Sequence, residues 1–259
     1  MEHGFDSMAR VEQWIDAIRR SAIASMTPPD VLARELNATM QTIYRRMVER
    51  DGILRMHPGV SRFTLERVKP KLRAELDRRI MASANLIKLN REQAIDTTIR
   101  RFSGWATSIP AGGSDAASRT EAKTEVRKAL AQLPFAERRV AIDQGHKLTS
   151  SLSNLLAVEG GAIAVVWNSH WRQAGYNYRP DHKERDGRVF AIRGSWALER
   201  GLMKAGPAGY YEDVTAFAEE PFCRCYGTYL YALRRLPGEM VTAKGRAEME
   251  RAAAERKAA

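Results

Sequence analysis

A single apolar run, Ala162-Ile163-Ala164-Val165-Val166-Trp167, interrupts an otherwise helical pattern. Its β-branched residues and its length suit a buried strand, and the Gly160-Gly161 pair before it stops a helix. Upstream of that pair, apolar residues recur at steps of three and four. Downstream, the segments are short and broken by Gly and Pro. This change of period predicts an α+β protein, with a long-helix N-terminal half followed by a small α+β domain holding a short antiparallel sheet or hairpins.

In the first half, Val11, Trp14, Ile18 and Ala22 share one face of a helix over residues 6–25. Thr27-Pro28-Pro29-Asp30 ends it and starts a second helix, since proline is tolerated in a first turn. That helix carries Leu32, Leu36, Met40, Ile43 and Met47, and Asp51-Gly52 closes it, giving a helical hairpin. After a His57-Pro58-Gly59 turn, a long helical stretch runs from about Ser61 to Ala106, with Pro70 near a start or a kink. Its stripe is Leu72, Leu76, Ile80, Ala84 and Ile87, continued by Ile95, Ile99 and Phe102. Ile109 to Asp115 reads as a linker, and Ser118-Arg119-Thr120-Glu121 as a capping box opening a helix to about Gln132. A further helix to Glu159 turns Val140, Leu148, Leu152 and Leu155 inward. The tail after Pro237 is helical by propensity but has little apolar surface to bury, so it is expected to be frayed.

Charge narrows the partners. The chain carries +11. From Ile43 to Arg101, fifteen Lys or Arg stand against seven Asp or Glu, so this span holds +8 of the total. One reading is a solvated helix face with intrahelical pairs such as Glu75-Arg79, each stabilising by about 0.2–0.5 kcal/mol. The other is non-specific contact with a polyanion such as DNA. No apolar run approaches the ~20 residues that cross a bilayer, so no membrane partner is expected. The opening MEHGFDSMARVEQW has no apolar core of a secretory signal, which points to a cytoplasm. Two cysteines two positions apart are not a disulfide framework.

The densest chemistry lies between Trp167 and Cys225. A polar turn after Trp167 ends in Arg179-Pro180-Asp181-His182. Asp186-Gly187 then gives a hairpin signal ahead of the alternating RVFAI. On a strand, Cys223 and Cys225 point their sulfurs to one face. With His182 they supply three zinc ligands, and a closed site needs a fourth from His170, His146 or Asp181. The alternative is two small buried thiols with His182 hydrogen-bonded inside its turn. Arg224, on the opposite face, is available to Asp181, Asp186 or a partner, and Arg179 and His182 brace the turn. Tyr176, Tyr178, Phe190, Trp196, Tyr210 and Tyr211 read as core and loop packing. Gly201 to Tyr211 is either a flexible arm for another subunit or an ordinary surface loop.

A strand ending in Trp167, an Arg179-x-x-His182 turn with Gly187, and a closing Pro221-x-Cys223-Arg224-Cys225 together resemble the Mu F-type head morphogenesis domain of tailed bacteriophages. The likeness covers about residues 135–232. Members of that family often carry His-Pro-Asn before Cys-Arg-Cys, where this chain has Glu220-Pro221-Phe222, and the stretch from Gly194 to Thr215 is long. The resemblance implies a non-enzymatic minor head protein that associates with the portal protein or the major capsid protein during procapsid assembly. It implies residence in the virion head, assembly in the host cytoplasm, and contact of the basic half with packaged DNA or an acidic portal surface. The expected organisation is a helical domain over 1–108, a linker over 109–117, a Mu F-like α+β domain over 118–237 and a frayed helical tail over 238–259.

Two rival classes follow from the same residues. A zinc-dependent nuclease would use Asp181-His182 as base with the cysteines holding zinc, but the chain lacks the downstream Asn and His pair of a ββα-metal nuclease. A non-specific DNA-binding accessory protein would use the basic helices alone. No P-loop, dinucleotide fingerprint or nucleophile elbow is present.

Overall fold

The computed structural model describes residues 8–107, 124, 130 and 133–258. The linker expected over 109–117 and the capping box at Ser118 to Glu121 lie outside them. Helix α1 (Met8–Ser25) buries Ile18 and Ala22, with Val11 and Trp14 half-buried on the same face. Helix α2 (Pro29–Tyr44) begins on Pro29 and carries Asp30 in its first turn, where a carboxylate suits the helix dipole. Its stripe of Leu32, Leu36, Met40 and Tyr44 is buried. One widened turn over Arg45–Glu49 follows, burying Val48, and Asp51 then leaves helical geometry at φ 56°.

Helix α3 (Arg62–Thr107) is continuous through Pro70, within one residue of the expected bounds at each end. Leu65, Val68, Leu72, Leu76, Ile87 and Phe102 are buried along it. The apolar stripe drifts midway. Ser83 is buried and Ala84 exposed, because a straight helix slips about 20° per heptad against a strict seven-residue repeat. Helix α4 (Leu133–Glu159) buries Leu148, Leu152 and Leu156, the last in place of the expected Leu155.

The chain divides into two compact units, one of Met1–Ala38 with Ile80–Ile142 and one of Thr39–Arg79 with Asp143–Ala259. In the first, Ala22 and Met26 pack with Ala94 and Ile95, and Arg91 Nη1 donates to the Thr27 carbonyl at 2.5 Å.

The second unit contains the sheet. Gly161, at φ 81°, ends α4 in the left-handed conformation, with Gly160 N–H and Ala162 N–H returning to Leu156 and Ala157 carbonyls. Strand β1 (Ala164–Asn168) then runs between β2 (Val189–Ala191) and β3 (Tyr226–Leu230), antiparallel to both. Alternation along β1 feeds two cores. Val165 and Trp167 join Phe190, Phe217, Cys223, Cys225 and Tyr229, while Ala164 joins Ala191, Leu202, Met203, Leu236 and Met240. Long helices with one small antiparallel sheet make this an α+β protein.

Three local expectations are corrected. Asp186-Gly187 is not the loop of a two-residue hairpin: β1 and β2 are joined by a long connection that includes helix α5 (Pro180–Glu184), and Gly187 (φ 75°) re-enters the sheet by donating to the Trp167 carbonyl at 2.8 Å. Gly201 to Tyr211 is not a free arm. Following helix α6 (Trp196–Glu199), Leu202 and Met203 are buried, and Met203 and Tyr210 bridge to Val241 and Ala191. The tail is anchored at its root. Met240 and Val241 are core residues, and helix α7 (Ala243–Ala258) packs Met249 on the same cluster, although its last described residues are exposed. Few apolar residues suffice there because they enter an existing core. Among the described residues no helix is long and apolar enough to cross a membrane.

Candidate metal centre

Trp167 fixes one wall of the site. It is fully buried on β1, stands edge-on to His182 with ring centroids 5.4 Å apart, and packs on Phe217 at 4.5 Å. The connection after β1 is pinned by Asp186, whose carboxylate accepts the Ser169 amide and the Trp171 indole N–H, each at 2.8 Å. These bonds, the Ser169 amide first, hold the Asp186 carboxyl below its ordinary range. Helix α5 starts on Pro180 and turns His182 inward.

The Cys-Arg-Cys segment arrives from the opposite side, just ahead of β3 rather than within it. It is shaped by two non-glycine residues in the left-handed region, Ala218 at φ 58° and Phe222 at φ 60°, a conformation costing roughly 1–2 kcal/mol each. The strain has a use. The amides of Ala218 and Cys225 are directed at the Cys223 sulfur, and the Phe222 amide donates to Asp143 of α4 at 2.6 Å.

His182 Nδ1 consequently lies 3.4 Å from Cys225 Sγ and 3.6 Å from Cys223 Sγ, with all three residues buried. Their ligand atoms lie within 4.8 Å of one another, close enough to hold a metal ion. The two thiols are coupled. Cys225 donating to Cys223 holds the Cys223 thiol well below its usual range and pushes the Cys225 thiol far up, so the pair loses one proton readily and the second with difficulty. Across the ring, His182 Nε2 faces Asp181 and Glu220 carboxylates, each at 3.9 Å. The ring thus presents Nδ1 to the two sulfurs and Nε2 to carboxylates, the arrangement common around metal-bound imidazoles. Arg179 forms an ion pair with Glu220 and donates to the Pro221 carbonyl at 3.0 Å.

Thus Trp167, Arg179, His182, Gly187, Pro221, Cys223 and Cys225 meet in one place. Arg224 stands beside them, its guanidinium 5.8 Å over the Tyr176 ring and its amide bonded to the Tyr176 hydroxyl. It does not take Asp181 or Asp186, which are engaged by Arg185 and by the Ser169 turn. Among the described residues, none of the fourth ligands read from the sequence joins the group: His146 and His170 stay out of it, and Asp181 lies on the Nε2 side. Asp143 and Glu220 were not legible as site residues, since a lone carboxylate on a helix or in a turn carries no spacing signal.

No family model, curated protein or solved structure matches this chain.

A second buried histidine has no such partners. His57 is bonded through Nδ1 to the Tyr231 hydroxyl at 2.6 Å and through Nε2 to the Ser153 hydroxyl at 2.8 Å. Burial lowers it to about 4. Both nitrogens are used in joining three segments, which makes it a core residue rather than a ligand.

The basic span is extensively self-paired. Glu66 pairs with Lys69, Asp77 with Arg73, and Glu75 with both Arg78 and Arg79, at 2.7–3.3 Å, and Lys71 pairs with Glu159.

Proposed function

We propose that this chain is a minor head protein of a tailed bacteriophage, a non-enzymatic assembly component that associates with the portal or major capsid protein as the procapsid forms. In this reading it assembles in the host cytoplasm, remains in the virion head, and contacts packaged DNA non-specifically through cations of α3. The observation that carries the reading is convergence. The residues on which the resemblance rests are scattered over Trp167 to Cys225, yet they form one connected set around His182.

The same proposal gives the set a structural zinc ion held by His182, Cys223 and Cys225. Two thiolates and an imidazole are a donor set zinc favours, and Zn–S and Zn–N bonds of about 2.3 and 2.0 Å in tetrahedral geometry separate N from S by about 3.5 Å. The observed separations are 3.4 and 3.6 Å. Burial of the whole group suits a staple rather than a substrate site.

Mass spectrometry of gradient-purified particles and procapsids from the producing strain tests the assembly role. The expected result is co-sedimentation at a fixed ratio to the portal protein. Absence from both particles and procapsids would overturn it.

A further inference from the structure

Cations of the second unit meet two kinds of partner. Along its part of α3, carboxylates pair with Lys69, Arg73, Arg78 and Arg79 and offset their charge. In the connection after β1 the cations meet rings instead. Arg172 and Lys183 lie over the Trp171 ring, 4.8 and 4.6 Å from its centroid, and Lys183 also lies 5.6 Å over Tyr178. Arg224 lies 5.8 Å over Tyr176. A ring attracts a cation through its quadrupole yet carries no net charge, so the positive charge persists for a partner. Among the described residues none of these three cations forms an ion pair with a carboxylate. The acids around them are occupied: Asp181 by Arg185, Glu220 by Arg179, and the two oxygens of Asp186 by the Ser169 amide and the Trp171 indole. Glu184, exposed in the same stretch, offsets one charge.

The rings belong to one face. Residues 222–226 alternate, with Cys223 and Cys225 buried and Phe222, Arg224 and Tyr226 exposed. The connection is tied to that segment: the Tyr176 hydroxyl donates to the Phe222 carbonyl at 3.4 Å and accepts the Arg224 amide at 3.2 Å, and the His170 ring stands 5.8 Å from that of Tyr226. Tyr178, Phe222 and Tyr226 are 37%, 39% and 54% exposed. Among the described residues after Val158 they are the exposed large apolar side chains, and all three are aromatic. Exposed rings interleaved with cations are the means by which single nucleic-acid strands are held without sequence preference, bases stacking on the rings and phosphates following the charges. We propose that this face binds single-stranded nucleic acid, with bases on Tyr178, Phe222 and Tyr226 and phosphates at Arg172, Lys183 and Arg224. It needs no metal ion, and it is separate from the contact assigned to α3.

The test is fluorescence anisotropy of the full chain with a labelled oligothymidylate of about 20 nucleotides, and with a duplex of equal length, over a salt series. Affinity for the single strand should fall as salt rises, with a log–log slope of about 0.7 for each phosphate neutralised. Arg172→Gln combined with Lys183→Gln and Arg224→Gln should lower that slope by about 2. Tyr178→Ala and Tyr226→Ala should each weaken single-strand binding about 10-fold and change duplex binding less, because paired bases already stack on one another. Tyr178→Phe and Tyr226→Phe, which keep the ring, should bind as the wild type does. Alanine and glutamine variants that bind the single strand like the wild type, or a wild type that does not bind it even at low salt, would overturn the proposal. Polyglutamate that competes as well as the oligonucleotide, with the alanine variants unaffected, would overturn it in favour of an acidic protein partner.

Discussion

The Glu220 carboxylate lies 3.9 Å from Nε2 of His182, on the side of the ring away from both sulfurs. Its position is fixed by Arg179, which also holds the Pro221 carbonyl. Glu220→Gln keeps the shape and removes the charge. It should weaken zinc binding about 10-fold or more, read by competition with a chromophoric chelator, while the metal-free melting temperature stays near that of the wild type. Unchanged affinity would mean that Glu220 does not orient the imidazole.

Trp167 joins the sheet to the site, touching His182, Phe190 and Phe217. Trp167→Ala should cost about 3–5 kcal/mol in urea unfolding and lower metal affinity as well, because the cavity frees His182. A loss below 1 kcal/mol would contradict its place in the core.

His57 gives the protein an acid limit. The unfolded chain takes up this proton near the ordinary value of 6.5, whereas the folded protein resists until about 4. Above pH 6.5 the group contributes nothing to pH dependence. As pH falls through the window from 6.5 to 4, the unfolded state gains the proton first, and stability should drop by about 3 kcal/mol. His57→Gln should flatten denaturation midpoints over that window. An equally steep decline in the variant would assign the acid sensitivity elsewhere.

Two helical glycines should respond oppositely to alanine. A Cβ on Gly104, near the end of α3, meets nothing within 4 Å among the described residues, so Gly104→Ala should stabilise by up to about 1 kcal/mol. A Cβ on Gly245, in the first turn of α7, would sit 2.1 Å from the Leu202 carbonyl oxygen. Backbone cannot rotate away as a side chain can, so the helix gain is outweighed and Gly245→Ala should destabilise by about 1–3 kcal/mol. Thermal melts of the two variants decide it, and stabilisation at Gly245 would mean that the root of α7 is loosely held.

Much of this arrangement was legible because it is local. The stripe from Leu72 to Phe102 gave α3 to within a residue at each end, and the apolar run gave β1. The closing Pro221 to Cys225 and the Arg179 turn marked the site. What was not legible depends on partners far away in sequence. His57 looked like a turn residue, because Ser153 and Tyr231 are 96 and 174 positions away. Leu202, Met203 and Val241 looked isolated among Gly, Pro and charged residues, yet together they close one core. Glu220 reaches the back of His182 from a segment flanked by left-handed residues at Ala218 and Phe222, a conformation that nothing in those side chains requires.

Native mass spectrometry of the chain, purified without added metal or chelator, tests the zinc centre most directly. The wild type should carry one zinc ion with two protons displaced, and the Cys223→Ser, Cys225→Ser double variant should stay at the metal-free mass and melt at a lower temperature. A wild type that remains at the metal-free mass after incubation with zinc, and melts like the double variant, would contradict the account.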